Sequence, residues 1–313
     1  MVWGGALIAP YKGIVTDQAN IGESWEISAF KGHETVVSEG EYAGMTITEL
    51  VSLKKGELVG EKVYAEYGDK FPLLIKFIDA RADLSIQVHP DDEMAARVHG
   101  DKGKTEMWYV VDAEEGASLY SGLSEAITPE EYEKRIADSS ITDVLARFQV
   151  KEGDVFFLPA GRIHAICSGC FIAEIQQTSD LTYRIYDYGR LGLDGKPREL
   201  HTELAKQAID YKVYDNYKTD YISKPNEENV VVSCSYFTTS LYELTEQVTK
   251  DLSSLDSFVV VMCVRGEGTL CLPGEAPVAV RQGETVLVPA SASALTITPS
   301  GDSPMKVLTS CIE

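Results

Sequence analysis

Basic residues are scarce in this chain: 28 Lys and Arg stand against 49 Asp and Glu, giving a formal net charge of −21 and an isoelectric point near 4.6. Such a field repels phosphodiesters, so no nucleic-acid partner is expected, and any anionic ligand must be met by cations gathered locally. Long apolar runs are missing as well. None approaches the roughly 20 residues that cross a bilayer, so no membrane role is expected. The opening MVWGGALIAP has neither the basic start nor the length of a secretory signal, which points to a cytoplasmic protein. Cysteine is too sparse for a disulfide framework. Of the six cysteines only Cys167 and Cys170 are close, in CSGC, and with no second CxxC they read as reduced thiols rather than a zinc knuckle.

What is present is enough for sizeable cores, at 44% hydrophobic and 9% aromatic. Residues 1–123 read as short alternating strands (ESWEIS, ETVVSEG, LLIKFIDA, LSIQVH, EMWYVV). The period then changes. Tyr132, Ile136, Ile141, Val144, Leu145 and Phe148 recur at helical spacing behind the start signal Thr128-Pro129-Glu130-Glu131, which predicts a two-helix insertion over about 124–148. Strands resume at GDVFFLPAGRIHAI, a short helix ends the tyrosine-rich stretch before DNYKTDYISKPNEEN, and Val230 to Glu313 is almost all short strands. KEGDVFFLPAGRIH at 151–164 is echoed by RQGETVLVPASASA at 281–294, as two related barrels would require. The expectation is a mainly β chain of two β-barrels. Residues 1–215 would form the first domain with its helical insertion, and residues 216–313 a second, degenerate β domain.

LSIQVHPDD places Ser85, Gln87 and His89 on one face of a strand and Leu84, Ile86 and Val88 on the other, so an amide and an imidazole reach one spot. That is half of a metal site. A second histidine, His164, closes the pattern Gly153-x5-Pro159-Ala160-Gly161-x2-His164, which resembles the second conserved motif of the cupin barrels. Together SIQVHPDDE, GKTEMWYVV and IGESWEIS, with WGG near the start and YRIYDYGR further on, resemble the type I mannose-6-phosphate isomerases in their short bacterial form, from about residue 3 to residue 204.

The resemblance implies two cupin-type jelly-roll barrels. It also implies a single Zn2+ per chain on Gln87, His89, Glu106 and His164, a ligand chemistry zinc accepts. It places Lys104, Lys76 and Ser85 in the substrate pocket, and Glu174 and Arg184 in the active site. Lys104 lies two residues before Glu106 and so points inward if Glu106 does. A glutamate amid Ala173 and Ile175 is costly unless paired or functional. The implied reaction interconverts mannose 6-phosphate and fructose 6-phosphate through a cis-enediolate. Glu174 leads as proton carrier, with Lys104 or a water as alternatives, and Arg184 serves the anionic substrate. Arg190, Lys196 and Arg198 are weaker candidates for the phosphate, and His33, His99 and His201 match no ligand pattern. Ala294 stands where the second barrel would need its histidine, so that barrel is expected to hold no metal. The rival readings are an iron-dependent cupin oxygenase and a non-catalytic sugar-binding cupin. A homodimer is left open.

Overall fold

The computed structural model describes every residue of the chain except 193 and 302. Its contacts group Met1–Ser24 with Lys76–Thr219 in one unit, and Trp25–Ile75 with Asp220–Glu313 in another. Both units are mainly β, the arrangement that alternating sequences favour because each strand can bury one face between two sheets.

In the first unit Cys170–Gln177, Glu106–Ala113 and Val155–Leu158 are consecutive neighbours in one sheet, and the part of the strand Leu73–Ala80 from Lys76 onward lies on the other side of Cys170–Gln177. The facing sheet runs Tyr183–Tyr186, Ile86–Val88, His164–Ile166, Ser118–Leu123, Leu145–Gln149. Trp108, Phe156 and Ile172 of the first sheet pack on Leu119 and Ile166 of the second, all essentially inaccessible to solvent. Each such side chain contributes on the order of 1.5–3 kcal/mol by leaving water. Apart from the neighbours Ser118–Leu123 and Leu145–Gln149, the successive strands from Ile86 to Tyr186 switch between the sheets, as in a jelly roll.

The insertion differs from its sequence reading. Thr128 caps an α-helix at Pro129–Ala137 through a reciprocal bond with Glu131, as expected. The helix then stops: Ser139 adopts φ +62°, and a 3-10 turn at Ile141–Val144 follows. Leu145–Gln149 is a strand, paired with Ser118–Leu123 and placing Phe148 opposite Leu119. Its residues LARFQ alternate as well as they fit a helix, and the free edge of the sheet decides between the two periods. The stretch ETVVSEG, expected as a strand, contributes only an isolated bridge from Val36 to Thr46. Helices Ile47–Lys54 and Asp92–His99 had no counterpart in the sequence reading, although each carries a side-chain cap, at Thr46 and Asp91.

In the second unit Asn229–Ser233, Thr238–Leu244, Met305–Cys311, Val259–Arg265 and Thr285–Val288 form one sheet. Val248–Asp251, Ala294–Ser300, Glu267–Cys271 and Val278–Arg281 form the other, with Val261, Leu295, Ile297 and Val307 between them. Within this unit the segment 25–75 is joined to the later strands at Gly60. Asp256 accepts from the amides of Glu61 and Lys62 at 2.7 and 3.2 Å, capping the helix Glu61–Tyr67. Gly60 sits at φ +96°, ψ +145°, and a Cβ there would lie 2.2 Å from the Asp256 carbonyl oxygen. Gly60→Ala therefore adds backbone strain of about 1–3 kcal/mol to a clash with rigid main chain. We expect a clearly lowered urea midpoint. An unchanged midpoint would mean the junction relaxes freely.

Candidate metal centre and active-site cavity

Register assembles the centre. In the second sheet of the first unit Arg184 is opposite Gln87, Gln87 opposite His164, and His164 opposite Ser121, a single row of side chains on one face. In the first sheet Glu106 is opposite Gln176 and Trp108 opposite Glu174. Glu106 bridges the layers: its Oε1 lies 3.2 Å from His164 Nε2, and its Oε2 lies 3.4 Å from both His89 Nε2 and Lys104 Nζ.

The two imidazoles are oriented from behind. Nδ1 of His89 is 2.8 Å from the Leu181 carbonyl oxygen and Nδ1 of His164 is 2.8 Å from that of Arg162. A carbonyl can only accept, so each Nδ1 carries the proton and each Nε2 turns a lone pair toward Glu106. His89 Nε2 and both Glu106 oxygens are buried without a hydrogen-bond partner. Acceptors facing one another in a dry site are costly unless a cation lies among them. Among the described residues, His89, Glu106 and His164 are the group whose ligand atoms could hold a metal, all within 4.8 Å of one another. Gln87 is adjacent, its Nε2 3.3 Å from His164 Nε2, and half a turn of the amide presents Oε1 instead. Two nitrogens, a carboxylate and an amide oxygen suit a divalent cation.

Beside this group opens a cavity of about 710 Å3, to which Lys76, Ser85, Gln87, Lys104, Glu174 and Arg184 all contribute. The structure thus brings together the residues singled out in the sequence. Glu174 is 3% exposed; Lys76 Nζ lies 2.9 Å from its Oε1, and the Trp108 indole donates to its Oε2 at 2.7 Å. Its ion-pair partner is therefore Lys76. Arg184 donates through Nη1 to the Glu199 carbonyl at 2.9 Å, and its backbone N–H is held by His201 Nδ1 at 3.1 Å. Arg198 also lines the cavity. Its Nε and Nη2 donate to buried Asp187, at 2.7 and 2.6 Å, and Asp187 accepts from Arg190 at 2.9 Å as well.

The sequence matches the family description "Phosphomannose isomerase type I, catalytic domain" over residues 3–120 and "Mannose-6-phosphate isomerase, cupin domain" over 226–303. Mannose-6-phosphate isomerase ManA of Bacillus subtilis is 35% identical over 292 residues, covering 92% of this chain and 89% of that protein. The chain belongs to the type I phosphomannose isomerases. The mannose-6-phosphate isomerase of Streptococcus mutans is likewise 35% identical, over 289 residues, with the same 92% and 89% coverage. The crystal structure of the mannose 6-phosphate isomerase from Bacillus subtilis superposes with a TM-score of 0.87 at 31% identity, over 99% of this chain and 96% of that one.

The electrostatics of the site follow from burial. Burial, helped by Lys104, pushes His89 down to about 3 against the pull of Glu106, and burial lowers His164 too. Both rings are therefore neutral at pH 7, the form that can ligate a cation. Burial works against the charge of Glu106, but Lys104, His89 and His164 outweigh it and hold the carboxyl well below its ordinary range. Glu174 is the opposite case. Burial and the neighbouring Glu106 charge raise it, and Lys76 and Lys104 only partly offset them. For Lys76 burial opposes the charge, yet Glu174, Glu23 and Glu106 prevail and the ammonium is held above its usual value.

Two residues at the site escaped the sequence reading. Trp108 alternates with Glu106 along one strand, which was the available signal, yet a tryptophan in an apolar strand reads as core. Asp187 lies in YRIYDYGR, a stretch read for its resemblance with no role given to its aspartate.

Proposed function

We propose that the chain interconverts mannose 6-phosphate and fructose 6-phosphate with a zinc ion bound by Gln87, His89, Glu106 and His164. The observation that carries the reading is the pair of imidazoles, each fixed from behind at Nδ1, aimed with a Glu106 carboxylate that accepts no hydrogen bond at one dry spot beside a cavity walled by Glu174, Lys76 and Lys104. Zinc, when bound, supplies a Lewis acid that polarises the oxygens on C1 and C2. The other steps belong to side chains. Glu174 takes the proton from C2 of the aldose and returns it at C1 while the hydroxyl proton passes from O2 to O1, and its raised pKa suits a base that must also give the proton back. Loss of that proton leaves a cis-enediolate, whose charge Lys104 and Lys76 stabilise from within the buried cavity. Ser85 orients a sugar hydroxyl. Arg184, with Arg198 near it, holds the phosphate and supplies the local cation that this acidic chain needs.

A coupled assay with mannose 6-phosphate, run with and without chelator beside metal analysis, tests the reading. We expect a single zinc per chain, removed together with turnover and restored with it. Two metal ions per chain, or full activity in metal-free protein, would sink the assignment.

A further inference from the structure

Trp108 has a single polar atom, no exposed surface, and no way to satisfy its N–H with water. Its acceptor is Glu174 Oε2 at 2.7 Å, directly across the antiparallel pair. The indole itself has little freedom. Its ring stands edge-on to His164, centroids 5.2 Å apart at 85°, and is packed among Val110, Phe156 and Ile172. The other partner of Glu174, Lys76, is a point charge on a four-carbon stem, and such a group follows a carboxylate rather than fixing it.

We propose that Trp108 is a positioning residue for Glu174: its buried N–H pins one carboxylate oxygen and so sets the other against the cavity. The inference rests on Glu174 carrying the proton. Glu106 and Trp108 are two residues apart on one strand, so a single rigid element fixes both the metal group and the proton carrier, and hence the spacing between them. Misplacement by an ångström can cost on the order of 10²-fold in rate. Trp108→Phe keeps an aromatic ring against His164 and removes the donor. Its kcat is expected to fall by about 10- to 100-fold with KM within about twofold, since the carboxylate is displaced while substrate contacts persist.

The deciding experiment is a double-mutant cycle on zinc-loaded protein, following kcat, KM and deuterium exchange for the parent, Trp108→Phe, Glu174→Gln and the double variant. If Trp108 acts through Glu174, adding Trp108→Phe to Glu174→Gln changes exchange by less than about twofold, because the partner it positions is already disabled. A non-kinetic reading accompanies it. The indole 15N–1H resonance that vanishes in Trp108→Phe should move in Glu174→Gln, while those of Trp3 and Trp25 stay. Equal losses in both backgrounds, or undiminished kcat in Trp108→Phe, overturn the inference. Parental exchange in Glu174→Gln would instead remove the proton-carrier reading itself, and the inference with it. Should Trp108→Phe not fold, 3-benzothienylalanine at 108, an isostere of indole lacking the N–H, makes the same test.

Discussion

Glu174→Gln should slow exchange of solvent deuterium into C1 or C2 of the sugar by on the order of 10² to 10⁴, the usual loss when a general base is removed. The geometry says what else changes. The glutamine oxygen can still accept from the Trp108 indole, so the side chain keeps its seat. Lys76, 6% exposed and now facing a neutral amide, loses its nearest counter-charge, while Glu23 and Glu106 still favour the ammonium. Removing one member of a buried pair costs up to about 3–5 kcal/mol, less if the ammonium can swing into the cavity. A lower thermal midpoint is thus expected alongside slow exchange, and zinc content should match the parent because Glu174 is not among the ligands. Normal exchange in a folded, zinc-loaded variant would shift the proton carrier to Lys104 or to a water. No exchange in the parent with either sugar phosphate would favour a binding protein over an isomerase.

The legible parts of the site were those written in local periodicity. Ser85, Gln87 and His89 announced themselves by alternation, and Gly153, Pro159 and Gly161 marked the turn that delivers His164. Glu174 stood out because a charge inside an apolar strand needs a reason. Pairings between distant strands were illegible: nothing near Lys76 tells that its strand will lie beside the Glu174 strand, so the ion pair at 2.9 Å emerges only from the sheet order. Leu145–Gln149 shows the same limit from the other side. Its residues satisfied both periods, and the open edge of the sheet beside Ser118–Leu123 settled the matter. Trp108 hid because burial alone seemed to explain it.

Arg184→Ala is expected to cost the phosphorylated sugar about 2–5 kcal/mol of binding in the transition state, roughly a 30- to 5,000-fold loss of kcat/KM, as for a charge-assisted contact to a desolvated anion. The side chain lines the cavity and is only half-buried; burial and the adjoining Arg198 lower its pKa, and the guanidinium stays charged, as it does in proteins generally. Its structural contribution is small: one donated bond to the Glu199 carbonyl, while the bond to His201 uses the backbone and survives the substitution. The Arg184 strand also remains paired with Ile86–Val88, so the row that seats Gln87 opposite His164 is retained. Thermal stability and zinc content should therefore stay near parental values while KM for the sugar phosphate rises. Arg198, held by Asp187, leaves some phosphate affinity and sets a floor to the loss. A variant that unfolds early yet turns over normally while folded would make Arg184 a structural residue, and the phosphate would then have to be met by Arg198 and its neighbours.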